Sequence, residues 1–169
     1  MKIVFTTGAG ISVPSGIPPY RGTGGIYTEN PGLEQLLTID NYRQNPQSVI
    51  AEIEKVRKQL SDKKPNPAHY AIAELEAHFE VTVITQNIDF LHRQAGTTDL
   101  LELHGNIYTS KMDENGHARP TAVLFGEDLP DDVYQNAVYA IENADVIVAV
   151  GTSGTVAPAS YLLDIANDR

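Results

Sequence analysis

The sequence predicts a Rossmann-like α/β fold, a doubly wound parallel sheet with helices on both faces. Three observations predict it. Five short apolar runs read as buried strands, stretches of helical periodicity lie between them, and the first run, Ile3-Val4-Phe5, leads straight into Gly8-Ala9-Gly10. A strand that ends in closely spaced glycines is how an open α/β domain brings its backbone close to a pyrophosphate.

The strand candidates are Ile3 to Thr6, Val81 to Thr85, Leu100 to Leu103, Ala122 to Phe125 and Val146 to Val150. They are short and mostly continuous rather than alternating, as expected of strands covered on both faces. After the glycines a helix start is expected at Ser12. Gln47 to Leu60 carries Val49, Ile50, Ile53, Val56 and Leu60 at helical spacing, and ends before SDKKPNP. Pro67 to His78 places Ala68, Ala71, Ile72 and Leu75 on one face, and Asp131 to Asn143 does the same with Val133, Ala137, Val138, Ala140 and Ile141. Strands alternating with helices give the doubly wound sheet. Residues 106 to 120 are polar, and Asn115-Gly116 marks a turn, so this segment reads as a loop or short hairpin beside the sheet. No repeat or second domain is visible, and 1–169 reads as one domain long enough to bury a core.

Composition narrows the partners. The formal net charge of −10 argues against a nucleic-acid groove. It suits a cationic partner such as a lysine-rich peptide, or simple solubility. No run approaches the ~18 apolar residues of a membrane span. A single lysine precedes the first strand, so no signal peptide is expected and a cytoplasmic location is the default. The chain has no cysteine, which excludes disulfides and thiolate metal sites. His117, Asp113 and Glu114 share a loop but lack a fourth ligand, so no metal site is expected.

Ligands of a doubly wound sheet sit outside the carboxyl ends of its strands. There the sequence places Gly8-Ala9-Gly10, Thr85-Gln86-Asn87-Ile88-Asp89, His104-Gly105-Asn106 and Gly151-Thr152-Ser153. Together they make a phosphate cradle, an amide, a carboxylate and an imidazole. Each has a plainer reading: Asp89 as a helix N-cap, His104 as a turn histidine, Asn87 as an Asx turn, and Gly151-Thr152-Ser153 as a strand-to-helix turn. His69, His78 and His92 fall in helical patterns and read as structural or surface residues.

Taken in order, these strings resemble the sirtuins, the NAD-dependent protein deacylases. GAGISVPSGIPPYRG, KPNPAHYAIAELE, TQNIDFLHRQAG, ELHGN, FGEDLP and GTSGTVAPA are similar to the family's motifs, and they cover nearly the whole chain. The resemblance implies NAD as cofactor. Gly8, Ala9, Gly10 and Ser12 would hold its pyrophosphate, with Gly151, Thr152 and Ser153 completing the phosphate site. Ile17, Tyr20 and Arg21 would belong to a mobile cofactor loop. Gln86 would touch a ribose, and Asn87, Ile88 and Asp89 would line the nicotinamide pocket, with Asp89 on the carboxamide. His104 would be the general base, since an imidazole of ordinary pKa near ~6.5 can accept a ribose hydroxyl proton at neutral pH. Phe125, Gly126 and Glu127 would pair with an acylated lysine peptide as an added strand. The implied products are nicotinamide, free lysine and O-acyl-ADP-ribose.

The chain departs from the family pattern in several places. The four zinc-binding cysteines are absent, which implies a zinc-free module reduced to the loop 106–120. Pro19 and Tyr20 follow SGIP where the pattern has an acidic residue and Phe. The sequence stops at Arg169 where the pattern continues into another strand, and from this an open sheet edge, a weak adenosine site or a homo-oligomer covering the edge is expected. No Y-x-x-R pair supports a preference for succinyl or malonyl groups. Two other functions share the same residues: an NAD glycohydrolase or ADP-ribosyltransferase, and a non-catalytic module that binds NAD or ADP-ribose.

Overall fold

The computed structural model describes residues 1–154 and 157–167. Thr155 and Val156, inside the GTSGTVAPA string, and residues 168–169, which end the expected single domain, lie outside the described residues. The strands are β1 (Lys2–Thr7), β2 (Glu80–Thr85), β3 (Leu100–Glu102), β4 (Ser110–Met112), β5 (Ala118–Pro120) and β6 (Val146–Val150). The helices are α1 (Ile26–Glu29), α2 (Pro31–Leu36), α3 (Ile39–Gln44), α4 (Pro46–Leu60), α5 (Pro67–Leu75), α6 (Leu91–Ala95), α7 (Asp131–Glu142) and α8 (Ser160–Asn167).

Strands β3, β2, β1 and β6 lie in that order, and all three pairings are parallel. The central strand explains the continuous apolar runs. Its Val4 packs with Ile84, Leu103, Ala137, Ile141 and Leu162 on the face covered by α7 and α8. Ile3 and Phe5 point the other way, to Ile72, Val81 and Val83 under α5. Successive strand residues face opposite sides, so a strand buried on both must be apolar throughout. A third cluster, Tyr42, Val49, Ile53, Ile107, Ala122 and Leu124, joins α3 and α4 to the loop segments after β3.

The helix starts follow local rules. Pro46 and Pro67 open α4 and α5 at positions where a missing N–H costs nothing. The Asn45 side chain accepts from the Ser48 N–H, and Asn66 accepts from that of Ala68. α5 ends at Leu75, three residues before the expected His78. α4 and α7 match their expected spans to within a residue at either end.

Two expectations are corrected. Ala122 to Phe125 is not a strand: within it only Phe125 makes a bridge, to Thr38. Its backbone is instead paired irregularly, with Ala122 N–H on the Asn106 carbonyl and Val123 N–H on that of His104. The run is apolar because Ala122 and Leu124 fill the third cluster. Nor does an α-helix start at Ser12. Ala9–Ser15 is a 3-10 turn with Pro14 inside it, closed by Gly16 at φ 79°, and a proline so placed cannot support a longer helix.

Residues 106–120 do form a short hairpin. β4 and β5 are antiparallel, and Gly116, at φ 81°, takes the left-handed turn position. An ionic cluster ties this hairpin to the body. Arg119 is 4% exposed, pairs with Glu127, and lies 5.0 Å over the Tyr42 ring. Lys111 reaches the same carboxylate at 3.0 Å. Tyr42 donates to Asp113 at 2.8 Å.

Candidate active site

β1 and β6 end side by side, and two glycine turns interlock there. Gly8 N–H donates to the Val150 carbonyl and Gly10 N–H to that of Gly151. A Cβ on Gly10 would lie 2.7 Å from Gly151 Cα, and one on Gly151 only 2.2 Å from the Ile11 nitrogen. Gly151 also has φ 63°, a left-handed conformation that disfavours a side chain. Two of the glycine N–H groups are thus spent on this contact, and the glycines serve close approach of the chain.

The segment after β2 gathers the predicted polar residues. Gln86 N–H donates to the Thr7 carbonyl, and its side-chain amide donates to Thr152 Oγ1 at 3.2 Å. Asn87 is buried, and its Nδ2 donates to the Gly8 carbonyl and to Ser12 Oγ. Asn87 Oδ1 is buried with no partner. Asp89 is buried too; Oδ2 accepts from Ser12 Oγ at 2.6 Å, and Oδ1 accepts from Leu91 N–H at 3.0 Å. Asp89 therefore holds the start of α6 with one oxygen and Ser12, on the cleft wall, with the other. Phe90, which follows, sits at φ 69°. A bulky side chain in that region is strained, and such strain collects at binding sites. Its ring packs 5.4 Å from that of Tyr108.

His104 stands beyond Gln86. Its Nδ1 lies 2.9 Å from the Gln86 carbonyl. A carbonyl only accepts, so Nδ1 carries the proton and Nε2 keeps its lone pair. Burial disfavours the imidazolium and pushes the pKa below its ordinary value, against a smaller opposing pull from the Gln86 carbonyl. Burial thus favours the neutral ring, and the Gln86 carbonyl orients it with the Nε2 lone pair unprotonated.

A cleft of about 870 Å³ opens beside this segment. Ala9, Ser12, Ile17, Tyr20, Asn87, Ile88 and Asp89 line it, with Ile26, Leu33, Val56 and Leu60 on the opposite wall. His104, Gln86, Gly151, Thr152 and Ser153 lie outside that lining, joined to it through the Gln86 backbone and side chain. Arg21 lies outside the lining too, and its guanidinium pairs with Glu34 at 2.5 Å.

The proposed peptide segment is partly engaged by the chain itself. Phe125 N–H donates to the Leu37 carbonyl, its own carbonyl accepts from Ile39 N–H, and Glu127 N–H donates to the Leu124 carbonyl. The Glu127 carboxylate holds Leu124 N–H, Lys111 and Arg119. A strand added along 125–127 therefore has no free pairing group on Phe125.

His69 and His92 prove structural, as expected. Their rings meet edge to face at 4.8 Å, both buried, and His92 Nε2 lies 3.0 Å from Thr7 Oγ1. His78 is exposed. Sequence reasoning missed Tyr27, which stacks on Tyr20, and Asn66 as an anchor: its Nδ2 donates to the Ile11 carbonyl and Ser15 Oγ. The Asn-Pro pair that starts α5 was the visible signal for Asn66; Tyr27 had none. Among the described residues, no cluster of three or more His, Asp or Glu could hold a metal, and no helix is long and apolar enough to cross a membrane.

The profile of the Sir2 family matches residues 8–118 and 109–158. An NAD-dependent protein deacylase of Bacteroides thetaiotaomicron is 38% identical over 96% of this chain and 79% of its own length. One from Thermococcus sibiricus is 39% identical, over 99% of this chain and 76% of its own. A solved Sir2 structure with a p53 peptide and NAD+ superposes with a TM-score of 0.80 at 33% identity, covering 98% of this chain and 77% of the other.

Proposed function

The chain belongs to the Sir2 family, and from that premise we propose how its residues work in an NAD-dependent protein lysine deacylase. The observation that carries the reading is the Gln86–Asp89 segment. It presents an orphaned acceptor, Asn87 Oδ1, beside a buried carboxylate, and its backbone fixes the tautomer of His104.

These residues fit NAD. An unpaired buried acceptor costs free energy until a donor reaches it, and a carboxamide NH2 is such a donor. The glycine interlock leaves no room for side chains where the chain must approach a pyrophosphate. Bound NAD supplies a glycosidic bond to a neutral leaving group and a ribose hydroxyl that becomes the nucleophile toward the acyl carbon. Asn87 and Asp89, with Ile88, hold the nicotinamide end. Ser12, fixed between Asn87 and Asp89, lies with Ala9 and Gly8-Gly10 along the pyrophosphate, and Gly151, Thr152 and Ser153 face it from the β6 turn. Gln86 sits by the ribose. Ile17 and Tyr20 close over the cofactor, and Arg21 joins them when it leaves Glu34. His104 takes the hydroxyl proton at Nε2, and the Gln86 carbonyl stabilises the imidazolium that results.

The substrate is an acylated lysine in a protein or peptide. It enters along Phe125-Gly126-Glu127, with Gly126 and the Phe125 ring as the contacts left open. The net charge of −10 favours a cationic flanking sequence. The absence of cysteine makes the small module zinc-free, with the Arg119 cluster in place of a metal. A cytoplasmic setting suits this chemistry.

Mass spectrometry of the products from NAD, with and without an acetylated peptide, tests the reading. O-acetyl-ADP-ribose formed only with peptide supports it. ADP-ribose formed without peptide would make the protein a glycohydrolase, and unconsumed NAD would make it a binding module.

A further inference from the structure

A run of contacts ties the cofactor loop to the peptide segment, and Tyr27 stands in the middle of it. Its ring stacks on Tyr20 at 5.5 Å and meets Phe125 edge-on at 5.4 Å. Its N–H donates to the Tyr20 carbonyl, as that of Ile26 does to Pro19. Glu34, on α2, holds Arg21. The chain leaving α2 is zipped to Phe125 through Leu37 and Ile39. Helices α1 and α2 are therefore fastened to the cofactor loop at one end and to Phe125 at the other.

We infer that Tyr27 is a positioning residue that relays peptide occupancy to the cofactor loop, so that acyl-lysine peptide and the ADP-ribose half of NAD bind cooperatively. This rests on the reading above, that residues 17–21 close over cofactor and Phe125 faces peptide. The Phe125 ring is 37% exposed. A peptide laid over it removes it from water and fixes its orientation. That restricts Tyr27, and through Tyr27 restricts Tyr20. A loop already ordered by the first ligand costs less to order for the second, and the coupling is reciprocal.

The test is calorimetric titration of ADP-ribose, alone and with a saturating Nε-acetyl-lysine peptide, a pair of ligands that do not react. In the wild type the peptide tightens ADP-ribose on the order of fivefold or more. Tyr27→Phe keeps that factor, because the relay uses the ring. Tyr27→Leu brings it below about twofold while ADP-ribose alone still binds, since an aliphatic chain keeps bulk and loses ring geometry. Glu34→Gln releases Arg21 from a partly exposed position and lowers the factor on a fold that is otherwise untouched, so the relay stays testable if Tyr27→Leu does not fold. A Tyr27→Leu protein with the wild-type factor, or a wild type that binds both ligands independently, overturns the relay and leaves the deacylase reading intact. A wild type that binds neither ligand and forms no O-acetyl-ADP-ribose overturns the deacylase reading as well.

Discussion

Replacing Glu127 by Gln isolates what holds the hairpin in a chain without cysteine. The carboxylate accepts from Leu124 N–H and meets Arg119 and Lys111. Burial pushes its pKa up, but those partners outweigh burial and leave it below the ordinary carboxylate value. The amide can keep one hydrogen bond to Leu124. It leaves the Arg119 guanidinium, 4% exposed, without a counter-charge. Breaking a buried pair on one side costs roughly 3–5 kcal/mol. Here the Glu127 side chain is 17% exposed and Lys111 more so, so screening brings the cost to about 2–3 kcal/mol. At about 2–4 °C per kcal/mol for a chain of this size, the Tm falls by roughly 4–12 °C, read by calorimetry or a urea melt. The double variant Glu127→Leu with Arg119→Met removes both charges and recovers most of the loss. A chelator leaves the Tm of the parent unchanged. A Glu127→Gln protein within about 1 °C of the parent would refute the ionic staple, and a Tm lowered by chelator would put a metal in its place.

The other predictions concern the site. His104→Ala lowers deacylation on the order of 10²–10⁴-fold, while ADP-ribose affinity stays within about threefold because the ring acts on the proton; parent-rate turnover of an acetyl-lysine peptide would remove His104 as the base. With its pKa held below about 6.5, His104 places the acid limb of kcat/KM below that value, and a limb at higher pH would contradict its burial. Asp89→Asn keeps an acceptor for Leu91 N–H but loses the charge, so nicotinamide release falls by roughly 10–100-fold; unchanged release would move the carboxamide elsewhere. Burial, then the neighbouring His69, pushes His92 down to about 3. Between about pH 6.5 and pH 3 the unfolded chain binds the extra proton, so stability is full above that window and drains as pH falls through it. His92→Gln should flatten the dependence of urea midpoints on pH from 6.5 to 4, and an equally steep curve would show that another group titrates.

Burial was readable from the sequence, and hydrogen-bond partners were not. β1 and β2 stood out because both their faces are covered, which makes Ile3-Val4-Phe5 and most of Val81 to Ile84 apolar. The same signal misread Ala122 to Phe125: Ala122 and Leu124 are buried like core strand residues, but their cover is α3 and α4. Apolarity records that a side chain is dry without recording what its backbone pairs with. The 3-10 turn was written in Pro14 and Gly16, yet the expectation of a helix N-terminus at Ser12 overrode them. The Asn115-Gly116 hairpin was legible because its turn chemistry is local. Its ionic anchor was not, since Arg119, Tyr42 and Glu127 meet only after three segments fold together. Helices α1 to α3 are too short for periodicity to declare, and they carry Tyr27.

The site divides into a part that is already built and a part that is not. Each residue after β2 is tied to a segment that follows another strand: Gln86 to Thr7 and Thr152, Asn87 Nδ2 to Gly8, Asp89 to Ser12. These bonds cross-link the segments that follow β1, β2 and β6, so the set is anchored on the sheet. That rigidity suits groups that must meet a bond being broken or a proton being moved, where misplacement costs rate directly. The opposite wall, from Ile17 to Leu36, has a different construction. It is held by ring contacts, by an ion pair, by backbone bonds from Ile26 and Tyr27 to Pro19 and Tyr20 within the same segment, and by short helices with no fully buried residue in α1 or α2. Such contacts can be exchanged at little cost, and because the Arg21–Glu34 pair is partly exposed, parting it leaves no buried charge behind. On the proposed reading, a cross-linked wall facing an exchangeable one would keep Asn87, Asp89 and His104 in register while the other side adjusts to cofactor and peptide.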